Sequence, residues 1–359
     1  MNSSPLEDII QKHSSNFLNS IKDIFFNDDP EYESSEINMS QYYNTDEIIN
    51  VIQNNPTAFT VLSLNCQSLP SKLDQLKLYL ATLKQNSLLF SAICLQETWL
   101  SDASDLSLLQ LDDYTLLNRN SSISSHGGIA IYLRKDYSFS HIDLNHSSTV
   151  WDGQFIKITD TNTNKKLVLG NLYRPPRDNN ANYTIFMEEL ALILDSINNI
   201  TDEAVIAGDF NIDLLKINEK PIFDEYYNMV VGSGFHPQIT LPTRLTENNA
   251  TLIDNFLCKL SLNCSRTSRT GILLNNISDH QPYFISFDFI QPQIKVPKYY
   301  EQKQISPNFE SHLREELRGF EMKFNRNEAA NPNENYNLLV NKIHTEIQKC
   351  TKIKKVKYN

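Results

Sequence analysis

The sequence lacks the features that mark several common classes of protein. Its five cysteines form no CxxC pair and no even set, so neither a cysteine zinc site nor a disulfide framework is predicted. With 9 glycines in 359 residues, it has no glycine-rich loop of the kind that cradles nucleotide phosphates. No apolar run reaches membrane-spanning length, and the N-terminus carries acids where a signal peptide carries bases. We therefore expect a soluble intracellular protein, cytoplasmic or nuclear, with no membrane partner.

The sequence also lacks an overall excess of positive charge, since its formal net charge is −11. The acids are concentrated at one end, because residues 1–55 contain ten acids and two bases. By contrast, the last eleven residues carry five lysines and no acid. The negative charge is therefore local and does not exclude a polyanionic partner.

Composition divides the chain into three parts. Residues 1–57, rich in Ser, Asn and acids, predict a mobile leader with one or two marginal helices. Residues 58–292 alternate strand-like apolar runs with a few helices, which is typical of α/β or α+β layers. Residues 293–359 predict two polar helices, 308–325 and 334–350, before a Lys-rich end. We interpret this last part as a linker or tail.

Polar side chains follow several predicted strands at the point where each strand ends. The clearest case is the apolar run Ala204–Ala207, which passes into Gly208-Asp-Phe-Asn211. In α/β proteins, ligand crevices open at the carboxyl ends of strands. The polar strand ends, in chain order, are Asn65, Glu97, Tyr173, Asp209, Asn211, Asp254, Asp279 and His280.

These side chains are suited to phosphoester hydrolysis. An all-oxygen set around Glu97, with Asp254 or Asp279 nearby, suits a hard divalent cation such as Mg²⁺. A carboxylate that activates water, and donors that hold the non-bridging oxygens, complete the chemistry. Each residue alone also has an ordinary structural explanation; Asn65, for example, could simply cap the helix after it. Their joint order favours a site.

The motifs that contain these residues resemble the endonuclease/exonuclease/phosphatase superfamily from about Phe59 to Phe289. This resemblance implies an α/β fold: a four-layer α/β sandwich with two mixed β-sheets packed face to face and helices outside. Within the superfamily the motifs look most like the AP-endonuclease-type endonuclease domain of non-LTR retrotransposons, which precedes a reverse transcriptase module. We therefore expect a fragment of such an element that lacks the reverse transcriptase. The motifs are Asn65-Cys-Gln-Ser-Leu69, Gln96-Glu-Thr-Trp-Leu100, His126-Gly-Gly128, Asn171-Leu-Tyr-Arg-Pro-Pro176, Pro242-Thr-Arg244 and Ser278-Asp-His280.

The resemblance implies a role for each matched residue. Glu97 would hold Mg²⁺, with Mn²⁺ as an alternative, assisted by Asn65 and Asp279. Asp209 would orient or activate the attacking water. His280, oriented by Asp254, would bind the scissile phosphate. Asn211 would contact the phosphate, and Tyr173 would donate to the phosphate or approach the leaving group. Thr243 would also contact phosphate, and Arg174 and Ser278 would bind the substrate.

The leading prediction is a Mg²⁺-dependent DNA endonuclease that acts in the nucleus and leaves a 3′ hydroxyl. One alternative keeps the chemistry but takes a phospholipid head group or a small phosphate ester as substrate. A second alternative is an inactive remnant that binds nucleic acid. Two segments, 101–125 and 257–276, are predicted to supply loops that contact the DNA grooves.

Overall fold

A computed structural model gives the arrangement of most of the chain between residues 39 and 357. It describes residues 39–55, 57–144, 148–160, 164–176, 180–246, 249–289, 299–305, 308–324 and 332–357. Its α-helices span Thr45–Gln53, Leu69–Gln85, Asn180–Asn198, Pro221–Gly232, Leu262–Thr267, Phe309–Phe324 and Pro332–Cys350, and its 3₁₀ helices span Leu106–Leu109 and Leu214–Glu219. Within these ranges no helix combines the length and the apolar character that a membrane crossing requires.

Most of the strands belong to two large mixed sheets. The strands are β1 Gln41–Tyr43, β2 Phe59–Asn65, β3 Ala92–Gln96, β4 Tyr114–Arg119, β5 Ile129–Arg134, β6 Ser138–His141, β7 Asp152–Thr159, β8 Lys166–Tyr173, β9 Ala204–Asp209, β10 His236–Pro237, β11 Arg244–Leu245, β12 Ala250–Thr251, β13 Asp254–Lys259, β14 Arg269–Leu273, β15 Tyr283–Phe287, β16 Tyr299–Ile305 and β17 Thr351–Lys357. The first sheet has the order β1-β14-β15-β2-β3-β5-β4 and the second the order β10-β13-β9-β8-β7-β6, while β11 pairs with β12 and β16 with β17.

Side-chain alternation along β2 shows how the layers are stacked. Phe59 and Val61 belong to a hydrophobic cluster shared with the second sheet. Leu62 and Leu64 point the opposite way, into a cluster shared with the helix Leu69–Gln85. Helices also pack on the second sheet, as in the contact between Trp151 and Phe186. The order of layers is therefore helix, sheet, sheet, helix, which confirms the predicted four-layer α/β sandwich.

Buried hydrogen bonds tie the two sheets together. Asn171 on β8 donates through Nδ2 to the carbonyl oxygens of Leu95 and Ala130 in the first sheet, each at 3.0 Å. The Tyr283 hydroxyl on β15 donates to the Gly208 carbonyl at 3.0 Å and accepts from the Gly208 amide at 3.1 Å. Unpaired buried polar groups are costly, so these bonds fix the register of one sheet against the other.

The C-terminal end of the predicted leader, residues 1–57, forms a strand and a helix. β1 pairs in parallel with β14 at the edge of the first sheet. The helix Thr45–Gln53, capped by Asn44, buries Ile48, Ile49 and Ile52. One or two marginal helices were predicted in the leader, and this helix is buried through three isoleucines on one face. Residues 1–38 of the predicted leader lie outside the described residues.

Removal of residues 1–57 is expected to destabilise the protein by at least about 4 kcal/mol, because it exposes the apolar surface that three isoleucines cover. Removal of residues 1–38 alone keeps β1 and the following helix, and therefore keeps this buried surface. Urea denaturation of the two shortened chains beside the full chain measures the difference. Equal stability of the two shortened chains would contradict the assignment of residues 40–53 to the core.

The chain divides into two compact units, Met1–Gln291 and Pro292–Asn359. In the second unit, the helices Phe309–Phe324 and Pro332–Cys350 have nearly the same bounds as the two helices predicted there. The Lys-rich end differs from the predicted tail because it forms β17, which pairs antiparallel with β16.

The two predicted groove-contacting segments contain regular elements as well as loops. Segment 257–276 contains the helix Leu262–Thr267 and β14, an interior strand of the first sheet. Ile272 on that strand is fully buried, whereas residues 274–276 after it form a partly exposed loop. Segment 101–125 contains the edge strand β4 but keeps a loop after it, at residues 120–125.

Candidate active site

The topology brings the polar strand ends together at one end of the two sheets. In the first sheet β2 and β3 run parallel, with Asn65 beside Gln96, the residue before Glu97. In the second sheet β8 and β9 run parallel, with Tyr173 beside Asp209. Asp254, the first residue of the antiparallel β13, also pairs with Asp209.

One amide links the carboxylates of the two sheets. Asn65 donates through Nδ2 to Glu97 Oε1 at 2.9 Å and to Asp209 Oδ2 at 2.8 Å. The Tyr173 hydroxyl donates to the same Glu97 oxygen at 2.9 Å. Glu97 and Asp209 are therefore close enough to contact a single substrate group, although they belong to different sheets.

A buried histidine–aspartate pair lies beside Asp209. His280 Nδ1 is 2.9 Å from Asp254 Oδ2, and the two residues are 3% and 0% exposed. Thr243 donates through Oγ1 to the same Asp254 oxygen at 2.6 Å and is itself fully buried. The Nδ1 contact leaves His280 Nε2 available to a substrate. The structure thus revises the prediction for Thr243, which orients Asp254 and has no exposed surface for a substrate.

Burial and neighbouring charges shift the pKa of two groups in this site. Burial, followed by the repulsion of Asp254, raises the pKa of Asp209 to about 7 against the attraction of His280. Burial alone would lower the pKa of His280, but Asp254, Asp209 and Asp279 together raise it to about 9. At neutral pH His280 is consequently a cation, while Asp209 is poised to accept a proton.

The pKa of His280 should fall well below about 9 in the variant Asp254→Asn, because the carboxylate that raises it most is removed while burial still lowers it. In the wild type, protonation of His280 stabilises the fold fully below pH 6.5, and this contribution is lost as the pH rises through about 9. NMR titration of the imidazole in metal-free protein measures both values, with the exposed Asp224→Asn as the control. A wild-type titration below pH 7 would contradict the pairing.

Asp279 forms an ion pair with a residue that the sequence did not place in the site. Arg244 reaches Asp279 Oδ2 through Nε at 2.9 Å and Nη2 at 2.7 Å. Burial tends to raise the pKa of Asp279, but His280 and Arg244 lower it below its usual value. Ser278 shapes this turn, since its Oγ accepts from the His280 amide at 3.3 Å. Arg244 belongs to the motif Pro242-Thr-Arg244. Because an isolated base in a loop is usually a solvated surface group, its ion pair with Asp279 was not predicted.

Arg174 does not face the substrate, contrary to the prediction. It is 1% exposed, and its guanidinium donates to the carbonyl oxygens of Phe210 and Asn211, each at 2.7 Å. In return Asn211 donates through Nδ2 to the Arg174 carbonyl at 2.7 Å, and its backbone amide donates to Asp209 Oδ1 at 3.0 Å. Asn211 has a φ of 49°, in the left-handed region that Asn tolerates better than most residues. Arg174 therefore holds the turn that presents Asp209.

The turn after β3 is also conformationally strained. Glu97 and Trp99 have φ values of 51° and 54°. The turn is held because the amides of Thr98 and Trp99 donate to the carbonyl oxygens of Gly128 and Gly127 at 3.1 and 2.9 Å. Non-glycine residues in this region cost about 1–3 kcal/mol each and often occur at functional sites. The backbone conformation of this turn directs the Glu97 carboxylate towards Asn65 and Tyr173.

Glu97 has the chemistry to hold a hydrated divalent cation. Its carboxylate is partly exposed and accepts from Asn65, from Tyr173 and, at 3.2 Å, from Trp99 Nε1. A carboxylate offers about four acceptor positions, so one remains for a metal. Asn65 presents its amide nitrogen to the carboxylates, while its Oδ1 accepts from the Gln67 amide. As a metal ligand, which is the predicted role, Asn65 would have to turn its amide over.

A second group of possible ligands fits a hydrated ion less well. Among the described residues, Asp209, Asp254 and His280 offer ligand atoms that all lie within 4.8 Å of one another. Asp254 is fully buried, and the protonated His280 has no free lone pair. A cation that retains its waters, as Mg²⁺ does, therefore fits Glu97 better.

Comparison with known proteins gives one family. The sequence model of the Endonuclease/Exonuclease/phosphatase family matches residues 62–280, more than half of the chain. No curated protein matched the sequence. Similar solved structures include the endonuclease domain of TRAS1, a telomere-specific non-LTR retrotransposon, at 14% identity and a TM-score of 0.49 over 65% of this chain and 100% of that chain. The 3′-5′ exonuclease NExo from Neisseria meningitidis is 18% identical, with a TM-score of 0.48 over 64% of this chain and 100% of that chain. D. rerio TDP2, complexed with a single-strand DNA product, is 14% identical, with a TM-score of 0.45 over 64% of this chain and 99% of that chain.

Proposed function

The chain belongs to the endonuclease/exonuclease/phosphatase family, and from this premise we propose that it is a Mg²⁺-dependent endonuclease that hydrolyses DNA phosphodiester bonds. One observation carries the proposal: Asn65 hydrogen-bonds both Glu97 and Asp209, and ligand atoms of Asp209 and of the buried pair Asp254 and His280 lie within 4.8 Å of one another. This arrangement places a partly exposed carboxylate, a proton acceptor and a cation around one position.

Each group has a distinct part in the proposed reaction. Glu97 would hold Mg²⁺, which when bound supplies charge neutralisation at a phosphate oxygen. Asp209, with a pKa raised to about 7, accepts a proton from the attacking water as the bond between phosphorus and the 3′ oxygen breaks, and the 3′ oxygen takes a proton from solvent and leaves as a hydroxyl. His280, with a pKa raised to about 9, donates from Nε2 to a non-bridging oxygen. The Tyr173 hydroxyl stays protonated, because burial and Glu97 raise its pKa, and so it remains a donor.

We extend the proposal to a specific biological role, the target-nicking domain of a non-LTR retrotransposon. The support is the set of motifs around the site, above all Gln96-Glu-Thr-Trp-Leu100 and Asn171-Leu-Tyr-Arg-Pro-Pro176. Such an enzyme would act on chromosomal DNA in the nucleus, and its 3′ hydroxyl product would prime a reverse transcriptase module of the same element.

Plasmid nicking tests the proposal. With Mg²⁺ the protein should convert supercoiled plasmid to open circles whose nicks a DNA polymerase extends, which requires a 3′ hydroxyl; with EDTA it should not. Intact plasmid together with hydrolysis of a small phosphate diester would show that the substrate is a phospholipid head group or small ester. DNA binding with hydrolysis of neither substrate would show an inactive remnant.

A further inference from the structure

An exposed tryptophan lies beside the proposed site without a part in the reaction. Trp99 is 37% exposed, whereas Trp151, the second of the two tryptophans, is 4% exposed and belongs to the core. Trp99 also has a backbone φ of 54°, which is unfavourable for a residue with a large side chain. Exposed aromatic surface and backbone strain at one residue together suggest that the ring serves a ligand.

The Trp99 ring is held in one orientation. Its indole nitrogen donates to Glu97 Oε2 at 3.2 Å, so the ring adjoins the carboxylate proposed to hold the metal. The His126 ring packs against it with the centroids 4.8 Å apart and the planes at 88°. The Trp99 amide donates to the Gly127 carbonyl at 2.9 Å, which ties both rings to the same backbone bridge. A ring fixed in this way binds a flat group with little loss of conformational entropy.

A cavity of about 400 Å³ opens next to the ring. It is lined by residues 99–102 and by the loop 120–125, so most of its polar groups are serine hydroxyls and backbone. The lining contains one acid, Asp102, which accepts from Asn120 Nδ2 at 2.7 Å, and no basic residue. Phosphate is disfavoured in such a lining, whereas a neutral ring with hydrogen-bonding edges suits it.

We infer that Trp99, supported by His126, is a stacking platform for an unstacked nucleobase adjacent to the scissile phosphate, with the loop 120–125 contacting the edge of that base. The inference rests on the proposed function and adds to it a site that reads the base. Stacking accepts every base, since each has a π face, so the platform favours unpaired or easily distorted DNA over a regular duplex. Any preference among bases comes from the serine hydroxyls of the loop 120–125, which contact the edge of the base.

Trp99 also donates to Glu97, so a substitution that removes the ring changes two things. Trp99→Ala loses both the ring surface and the indole donor, whereas Trp99→Phe keeps a stacking surface and loses only the donor. A platform role therefore predicts that Phe restores base-dependent binding. A role limited to positioning Glu97 predicts that Phe and Ala behave alike.

The test compares two single strands of equal length and phosphate charge: oligothymidylate and a chain of abasic tetrahydrofuran residues. Binding is measured by fluorescence anisotropy in metal-free, low-salt buffer, where phosphate contacts are strongest and no Mg²⁺-dependent cleavage occurs. The wild type should bind oligothymidylate at least about tenfold more tightly, and only oligothymidylate should quench the tryptophan fluorescence. The difference should vanish in Trp99→Ala, persist in Trp99→Phe, and be unaffected by Leu192→Ala, which alters an exposed apolar residue on the helix Asn180–Asn198, outside the cavity lining and outside both segments predicted to contact DNA.

Equal affinity of the wild type for the two strands, or a preference that survives in Trp99→Ala, would overturn the inference. The same would follow if Trp99→Phe lost the preference as fully as Trp99→Ala. Plasmid nicking by the wild type separates this failure from that of the proposed function. Nicking without base-dependent binding removes the platform alone, whereas intact plasmid removes the endonuclease whatever the binding result.

Discussion

The variant Glu97→Gln is expected to reduce Mg²⁺-dependent DNA cleavage by about 10³-fold or more, since one charged group anchors the cation that neutralises the phosphate. Gln keeps the length of the side chain and one acceptor oxygen, so the turn after β3 should persist. The measurement is the rate of plasmid nicking at saturating Mg²⁺, accompanied by calorimetric titration of Mg²⁺ into the protein. Both cleavage and the tightest Mg²⁺ binding should be lost together.

The control for this variant is Glu225→Gln, which makes the same chemical change at an exposed position on the helix Pro221–Gly232. It should nick at the wild-type rate. Unchanged cleavage by Glu97→Gln would show that the metal is held elsewhere, and the group of Asp209, Asp254 and His280 would then be the next candidate. Loss of cleavage with unchanged Mg²⁺ binding would lead to the same reassignment.

The variant Asp209→Asn is expected to lower kcat by about 10²–10⁴-fold, the usual contribution of a positioned proton acceptor. In contrast to this loss of activity, the substitution should stabilise the fold increasingly as the pH rises. Because burial and Asp254 raise the pKa of Asp209 from 3.8 to about 7, ionisation of this group opposes folding. That penalty is absent below pH 3.8, grows between pH 3.8 and 7, and is constant above.

The stability of Asp209→Asn relative to the wild type should therefore increase by a few kcal/mol, on the order of 1.4 kcal/mol per unit of pKa shift, as the pH rises from 4 to 8. The change with pH, and not the difference at a single pH, is the informative quantity, because it reports the ionisation of this carboxyl group. Urea denaturation in EDTA measures it, and the exposed Asp224→Asn should show no such trend. A difference that stays flat between pH 4 and 8 would mean that Asp209 ionises normally.

The sequence by itself determined the elements that carry the site. β2 and β8 have the predicted bounds, because each is a largely apolar run that ends at Asn65 or Tyr173. A strand that is buried on both faces has apolar residues on both faces, and this pattern can be recognised from the local sequence alone. The order of the polar strand ends then identified the family, and from the family came the four-layer fold. None of this required knowledge of which side chains touch.

Only the tertiary structure decided what each polar residue contacts. Arg174 follows a strand end as Tyr173 does, yet it turns inward to the carbonyl oxygens of Phe210 and Asn211 and is buried. Thr243 likewise faces Asp254 and not solvent. Side-chain direction at the end of a strand depends on the neighbouring loop, and that loop comes from a distant part of the chain.

The pKa values of the site residues also depend on the tertiary structure. Asp209 acquires its raised pKa from burial and from Asp254, and its contact with Asn65 joins residues 144 positions apart in the chain. Such long-range pairs form only when two sheets pack face to face. Local sequence patterns specify which groups stand at the strand ends, but desolvation and charge act through space, so the chemistry of those groups is set by the packed fold.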